Sequence, residues 1–482
     1  MLLYAFILSP AFVGLLCGLI PQWNKKRTLF LMLPQGLLAA GTMVASFSGA
    51  ILATPVYYLT DTITFSLAWD SFGGFFAILV SLCWLLSLPY AAVYMEHEAH
   101  HGRFYAFFFL TEAAVIGTAL AADFMTLYLF FELATLFSFP LVLHDHTPMA
   151  VLGGQKYLYY SVGGAFLALF GITVLYRETG TLLLTPGGIP AELTPLTLPA
   201  VFCMVAGFGA KAGLYPLHNW LPTAHPVAPA PASAVLSGLI TKAGVVAIIR
   251  LLFDFAVPEL LRGTWLQYTA IILALIGVAM GSFMGCTEMN LKKRLAYSSI
   301  SQISYILLGL FTLTPHGISG GLMQLLFHAA AKIGAFQCAG AIIHLTGCTR
   351  VDELRGMGRR LPLTMVCFTL LSLSLVGIPP FGGFWSKWHL CLAALEGLPM
   401  VLSYLVPAVL ILSALLTAGY LFAPIISAFF PGEDCPAELL EPVKEPPAMV
   451  ASLIVFCLVC TVFGLYPAPL VSALQRIAEA LM

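Results

Sequence analysis

Apolar residues run through this chain in long continuous blocks, without the strict alternation of a half-buried strand. Polar residues gather in the short segments between the blocks. A spanning helix needs about 20 apolar residues, and in lipid only helices and closed barrels satisfy every backbone group. Runs of this kind, lacking a two-residue period, exclude a barrel. The blocks predict fourteen helical spans, over 2–21, 29–51, 71–94, 104–121, 124–143, 155–176, 196–216, 232–253, 265–286, 296–313, 318–345, 363–393, 402–430 and 448–467. The fold class is therefore an all-α polytopic membrane protein. The first span has lysines after it, not before, and no small-residue cleavage site, so it reads as a retained helix.

Two of these spans are interrupted. The seventh carries Pro216, Pro222, Pro226, Pro229 and Pro231 at its end, and the twelfth carries Pro379, Pro380, Gly382 and Gly383. Such residues break the backbone ladder, which a membrane tolerates only where protein or water satisfies the freed groups. Broken helices at corresponding places in two halves point to a transport pathway built from inverted repeats. Spans 4–8 and 9–13 form two such five-helix units, each with its fourth helix broken. The expected organisation is 1–103 for helices 1–3, 104–255 and 256–430 for the two repeats, and 431–482 for a loop, helix 14 and a tail.

Composition agrees: 60% hydrophobic and 9% charged residues, with a mean hydropathy of +0.95, leave no room for a soluble core. Net charge is −1 and names no partner, but charge placement is informative. Alternate loops hold Lys25, Lys26, Arg27, Arg103, Lys156, Lys292, Lys293, Arg294, Arg350, Arg355, Arg359, Arg360 and Lys444, while the other side holds Arg177, Arg250, Arg262 and Arg476. Thirteen against four puts the first set in the cytoplasm and both termini outside.

The remaining basic residues are Lys211, Lys242, Lys332 and Lys387, all inside apolar spans. A lysine at mid-bilayer costs roughly 3 kcal/mol on insertion scales, so four of them need a purpose. Burial brings the neutral and charged forms of lysine closer together, which suits proton relay. Snorkelling is the competing explanation, weakest for Lys242 and Lys332. Glu132 lies near the middle of span 5, and pairing it with Lys211 makes either a coupled switch or a static ion pair. His328 precedes Lys332 by one helical turn on the same face. Glu112 in span 4, His218 and His225 beside the first break, and His344 near the cytoplasmic end are expected to tune the path or give access to it. Asp123, at the end of span 4, reads as a solvated or helix-start residue, not as part of a transport path.

Other patterns carry less. His97-Glu98-Ala99-His100-His101 matches HExxH, the zinc-protease pattern, but sits in a short loop with no third ligand in sight. His144-Asp145-His146 reads as a surface loop or a gate for protons. The eleven cysteines are scattered without a CxxC pair, consistent with packing. No cofactor, metal or nucleic-acid motif is expected.

The blocks FFELATLFSFPLV, GAKAGLYPLHNWLPTAHPVAPAPASAVLSGLITKAGVVAIIRL, LAYSSISQISYILLGL, HAAAKIGAF and LVGIPPFGGFWSKW, in this order, resemble the antiporter-like subunits of respiratory complex I. The same family includes Mrp cation/proton antiporter subunits and the membrane arms of energy-converting hydrogenases. The resemblance spans about 70–420. It implies a proton-translocating subunit with a coupled Glu132–Lys211 pair, a span-8 lysine at Lys242, a His328/Lys332 face on span 11 and an ionisable residue at Lys387 of broken span 12. Glu112 resembles a glutamate of the complex I type more than of the Mrp type. The implied partners are other membrane subunits, including homologous ones, with redox chemistry in partner subunits and protons, with or without Na+, as cargo. The chain stops soon after span 14, without the long lateral helix of the largest family member. An Mrp-type Na+/H+ antiporter subunit and, remotely, a membrane zinc protease are the alternatives.

Overall fold

The computed structural model describes residues 2–20, 24–48, 52–58, 60, 64–189, 194–433, 435–436 and 440–482; the side chains of Lys25, Leu52 and His97 are not among what it describes. Residue 21 and residues 49–51, the ends of the first two predicted spans, lie outside the described residues. The N-terminal group consists of α1 (Leu2–Leu19), α2 (Lys25–Phe30), α3 (Met32–Phe47) and α4 (Ser71–Tyr94). Between α3 and α4 the chain departs from all-helix in two short antiparallel pairs. β1 (Leu52–Ala53) pairs β4 (Ala68–Trp69), and β2 (Tyr57–Tyr58) pairs β3 (Thr64–Phe65).

Next come α5 (His101–Leu120), α6 (Phe124–Val142), α7 (Pro148–Thr179) and α8 (Thr197–Ala212). The seventh predicted span is α8, and its second half is α9 (Leu221–Val227). The eighth is not one regular helix: α10 (Ala230–Val235) and α11 (Thr241–Ile249) are joined by a π-helical turn, Leu236–Ile240, and a second π turn, Arg250–Phe255, follows. Such turns insert a residue into the helical ladder and displace carbonyls from their usual partners. After α12 (Pro258–Leu261) come α13 (Trp265–Thr287), α14 (Leu291–Phe311) and α15 (Pro315–Thr346). The rest is α16 (Met357–Arg360), α17 (Pro362–Val376), α18 (Gly382–Gly397), α19 (Met400–Phe429), α20 (Pro447–Leu465) and α21 (Ala468–Leu481). The twelfth predicted span, 363–393, is thus the pair α17 and α18.

Helix starts follow local chemistry. Asp70, Asp123, Thr147, Thr264, Asn290 and Thr314 each accept a hydrogen bond from a first-turn N–H, the N-cap arrangement that satisfies an orphan donor. Asp123 is a helix-start residue as read, but it is buried, not solvated, and also accepts from the Ser66 hydroxyl at 2.6 Å. Among the described residues eleven helices are long and apolar enough to cross a membrane by length and composition, with α8 and α17 as shorter apolar helices. The protein is a multi-pass, helical membrane protein.

Packing puts α15 at the centre, buried along nearly its whole length, while α19 turns Val401, Tyr404, Ile411 and Leu415 outward. Small residues allow close crossings: a Cβ on Gly164 of α7 would lie 2.6 Å from the Gly207 carbonyl oxygen of α8. The terminal α21 buries Leu474, Ala478 and Leu481 against α15 and α4. Three basic residues counted with the loops are in fact buried. Arg250 bonds Asp70 and Asp254, Arg294 donates to the Tyr420 carbonyl at 2.8 Å, and Lys292 donates to the Ala228 carbonyl at 3.0 Å.

Candidate functional site

Both breaks are made alike. α8 ends on Gly213 and α17 on Gly377, each at positive φ, a conformation that costs glycine little and other residues more. The N–H groups of Gly213 and Leu214 return to the Gly209 carbonyl, and those of Gly377 and Ile378 to the Leu373 carbonyl. The two lysines meet the breaks from opposite sides. Lys211 lies in the last turn of the first half-helix α8 and reaches α6, donating to the Phe131 carbonyl at 2.6 Å and the Thr135 hydroxyl at 2.7 Å, over the Phe131 ring. Lys387 lies on the second half-helix α18 and points back, donating to the last carbonyls of α17, Leu375 at 2.8 Å and Val376 at 2.6 Å. A cation at a helix C-terminus is favoured by the dipole and by the unsatisfied carbonyls there.

The two central lysines are joined through two serine side chains and two carbonyls. Lys242 donates to the Ser237 carbonyl within the first π turn. The Ser237 hydroxyl bonds the Ser299 hydroxyl at 2.7 Å, and Ser299 donates to the Leu295 carbonyl at 2.9 Å. Lys332, from α15, donates to that same Leu295 carbonyl at 3.0 Å. A second polar group extends toward Lys387. Gln324 donates to Gln302 at 2.6 Å, Ser386 donates to Gln324 at 2.5 Å, and Gln302 donates to the Leu375 carbonyl that Lys387 also uses. Gln324, His328 and Lys332 succeed one another at four-residue spacing on α15, so His328 lies between the two groups. Neither ring nitrogen of His328 has a hydrogen-bond partner.

Ser237, Ser299, Gln302, Gln324 and Ser386 were not among the expected site residues. The available signal was the serine and glutamine content of 298–304, unusual for a span, with Leu295, Ser299 and Gln302 recurring at helical spacing. If the hydroxyl pair carries the path, Ser299→Ala cuts proton flux several-fold, while the melting temperature changes by no more than loss of one hydrogen bond, about 1 kcal/mol, allows. Parallel flux and melting measurements on the same preparation check this.

A common feature links the four lysines. Among the described residues no carboxylate lies within 4.0 Å of any of their ammonium nitrogens, and carbonyl or hydroxyl oxygens hold every one. Such a charge can be gained or lost without stranding a buried counter-ion, the large penalty of a conventional buried ion pair. Glu132 is half-buried on α6 beside Phe131, near Lys211, and its Oε1 has no hydrogen-bond partner.

The other expected residues divide. Glu112 is not at the lysine sites: Gln35 of α3 donates to it and to the Ser81 carbonyl, giving a separate polar node between α3, α4 and α5. His225 is buried against the Phe336 ring, centroids 4.8 Å apart, next to the Lys332 turn. His218 is half-buried and stacks on Tyr215, while His344 lies at the far end of α15 against Tyr94. The His97 side chain lies outside the described residues, and His144 and His146 are tied to Ala99 and Arg103 in a loop.

This fold and this row of lysines define a membrane-embedded antiporter-like subunit. Residues 121–415 match the family described as NADH:quinone oxidoreductase/Mrp antiporter, TM. The chain belongs to that family. It is 30% identical to NADH-quinone oxidoreductase subunit N of Desulforudis audaxviator over 97% of this chain and 96% of that protein. It is 29% identical to F(420)H(2) dehydrogenase subunit N of Methanosarcina mazei over 99% and 97% of the two chains. In fold it superposes on a chain of the Mrp complex from Dietzia sp. with a TM-score of 0.87 at 23% identity, covering 100% of this chain and 98% of that one.

Proposed function

We propose that this chain is the proton-translocating subunit of a multisubunit membrane complex of the complex I or energy-converting hydrogenase kind, with redox chemistry in its partner subunits. The observation that carries this reading is the row of buried lysines held by oxygen dipoles and linked by hydroxyl and amide side chains. Protons enter from the cytoplasm near spans 7 and 8, pass Lys211, Lys242 and the His328/Lys332 centre, and leave near Lys387; Glu132 sets the charge state of Lys211. Similarity to dehydrogenase subunits over nearly their full length supports the redox-coupled assignment. Glu112, His218, His225 and His344 tune or give access to the path.

The matching caps at Gly213 and Gly377 support two inverted repeats, 104–255 and 256–430, between the N-terminal helices 1–103 and the C-terminal segment 431–482. With α8/α9 and α17/α18 each taken as one broken crossing, the chain crosses fourteen times. The loop charges support an orientation with both termini outside, in a membrane we read as the cytoplasmic membrane of a bacterium or archaeon.

The test is the complex purified with its co-purifying subunits and sealed into liposomes with a pH-sensitive dye inside. An electron donor and acceptor matched to those subunits should drive proton movement with no sodium present. Exchange driven by a Na+ or K+ gradient without any donor would assign the chain to an Mrp-type antiporter instead. Proton movement under neither drive would overturn both.

A further inference from the structure

Lys292 was counted with the cytoplasmic loops, yet it is the second residue of α14 and only 6% exposed. Its ammonium donates to the Ala228 carbonyl at 3.0 Å, at the joint between α9 and α10. Pro231, three residues on, has no N–H to offer that carbonyl; the Ser233 hydroxyl also donates to it, at 3.1 Å. On the outer side, the carboxylates acting on Lys292 are Asp145, exposed in the loop after α6, and Glu98, half-buried in the loop after α4. On the inner side is His225, fully buried, with no hydrogen bond at either ring nitrogen. The positive charges that act on His225 are, in decreasing order, Lys332, Lys242 and Lys292, and its ring stacks on Phe336, one turn from Lys332 on α15. On α14 itself, Lys292 lies one turn before Leu295, whose carbonyl holds Lys332. Burial thus deepens in steps from Asp145 through Glu98 and Lys292 to His225 and Lys332.

We propose that Lys292 is the intake residue of the path, receiving protons from the Glu98/Asp145 surface and passing them to His225 and so into the row of Lys211, Lys242 and Lys332. In the inward step a proton leaves Nζ of Lys292 for a ring nitrogen of His225. The neutral amine stays anchored as a donor to the Ala228 carbonyl, and solvent at the Glu98/Asp145 surface returns the proton. This inference rests on the proton-translocation reading.

The discriminating variant is Lys292→Arg, which keeps the charge and can keep the bond to Ala228 but does not release a proton at accessible pH. A purely structural lysine tolerates this change; an intake residue does not. In liposomes holding the whole complex, driven by the electron donor and acceptor matched to its subunits, with valinomycin and potassium to relieve the potential and internal pyranine as the probe, Lys292→Arg and Lys292→Met should both slow proton flux roughly a hundredfold, the low end of what a positioned proton-transfer group contributes. His225→Phe, which preserves a ring against Phe336, should do the same. Full flux in Lys292→Arg overturns the proposal, as does full flux in His225→Phe. Lys332→Met run beside them separates the two levels. If it abolishes flux while the Lys292 variants conduct normally, only the intake assignment fails; if it too conducts normally, the translocation reading itself has failed.

Discussion

Lys211→Met should stop proton translocation and leave the complex assembled. Methionine approximates the length of the lysine stem and fills the same apolar slot between α8 and α6, so little packing is lost. What disappears is the ammonium that bonds the Phe131 carbonyl and the Thr135 hydroxyl. Because no carboxylate lies within ion-pairing distance of this nitrogen among the described residues, its removal strands no bonded counter-charge, and unfolding in detergent should move little. Flux should fall to background, on the order of a hundredfold or more. Lys211→Ala and Glu132→Ala should abolish flux as well, but alanine also opens a cavity, so methionine is the cleaner probe. Lys211→Arg tests whether exchange, not charge, is needed, since guanidinium holds its proton. The assignment of Lys211 to the path is lost if the methionine variant pumps at the unaltered rate in sealed vesicles.

Arg250→Met should have the opposite signature, a large loss of stability arising outside the lysine row. Arg250 bonds Asp70 at 2.5 Å, Asp254 at 2.6 Å and the Ala119 carbonyl at 2.9 Å, and so ties the start of α4 to the end of α5 and to the second π turn. Removing the cation leaves Asp254 buried and Asp70 facing it with no neutralising partner. Breaking such a group from one side costs about 3–5 kcal/mol, even where replacing the whole group with apolar residues is neutral. Unfolding in detergent should show that loss, and Arg250→Met with Asp254→Asn should recover part of it, a coupling read from the double-mutant cycle. A pH series adds a check. Burial raises the Asp70 carboxyl, but the guanidinium outweighs this and holds it below the usual 3.8. A carboxylate with a lowered folded value stabilises at and above its unfolded value and loses that contribution as the pH falls through the lowered one. The Asp70 contact should therefore be intact at neutral pH and weaken only in strong acid. No change in unfolding for Arg250→Met would show that the clasp carries no stability.

Legibility of the site in the sequence varied by residue type. Lysines in apolar spans announce themselves, because desolvation makes them expensive wherever they occur. Serine and glutamine cost far less to bury, so Ser237, Ser299 and Gln324 gave no comparable signal and emerged as neighbours of the lysines only through their hydrogen bonds. Lys292 misled for a related reason. It stands beside Lys293 and Arg294 at the mouth of a span, the pattern of a cytoplasmic loop, and only the fold of α9 and α10 over it turns a topological marker into a buried group. Glu112 reads as a tuning or relay group at a neighbouring site, and only the fold shows that its immediate partner is Gln35.

Residue order alone was enough to establish the helical membrane class, the two breaks and the unusual lysines, because each follows from the local cost of exposing backbone or charge to lipid. It could not say what each lysine touches. The carbonyls that hold them, at Phe131, Ser237, Leu295, Leu375 and Val376, are supplied by backbone, which every residue possesses and no sequence pattern distinguishes. Most of those carbonyls lie on other helices, and which of them faces a given lysine depends on how the helices cross.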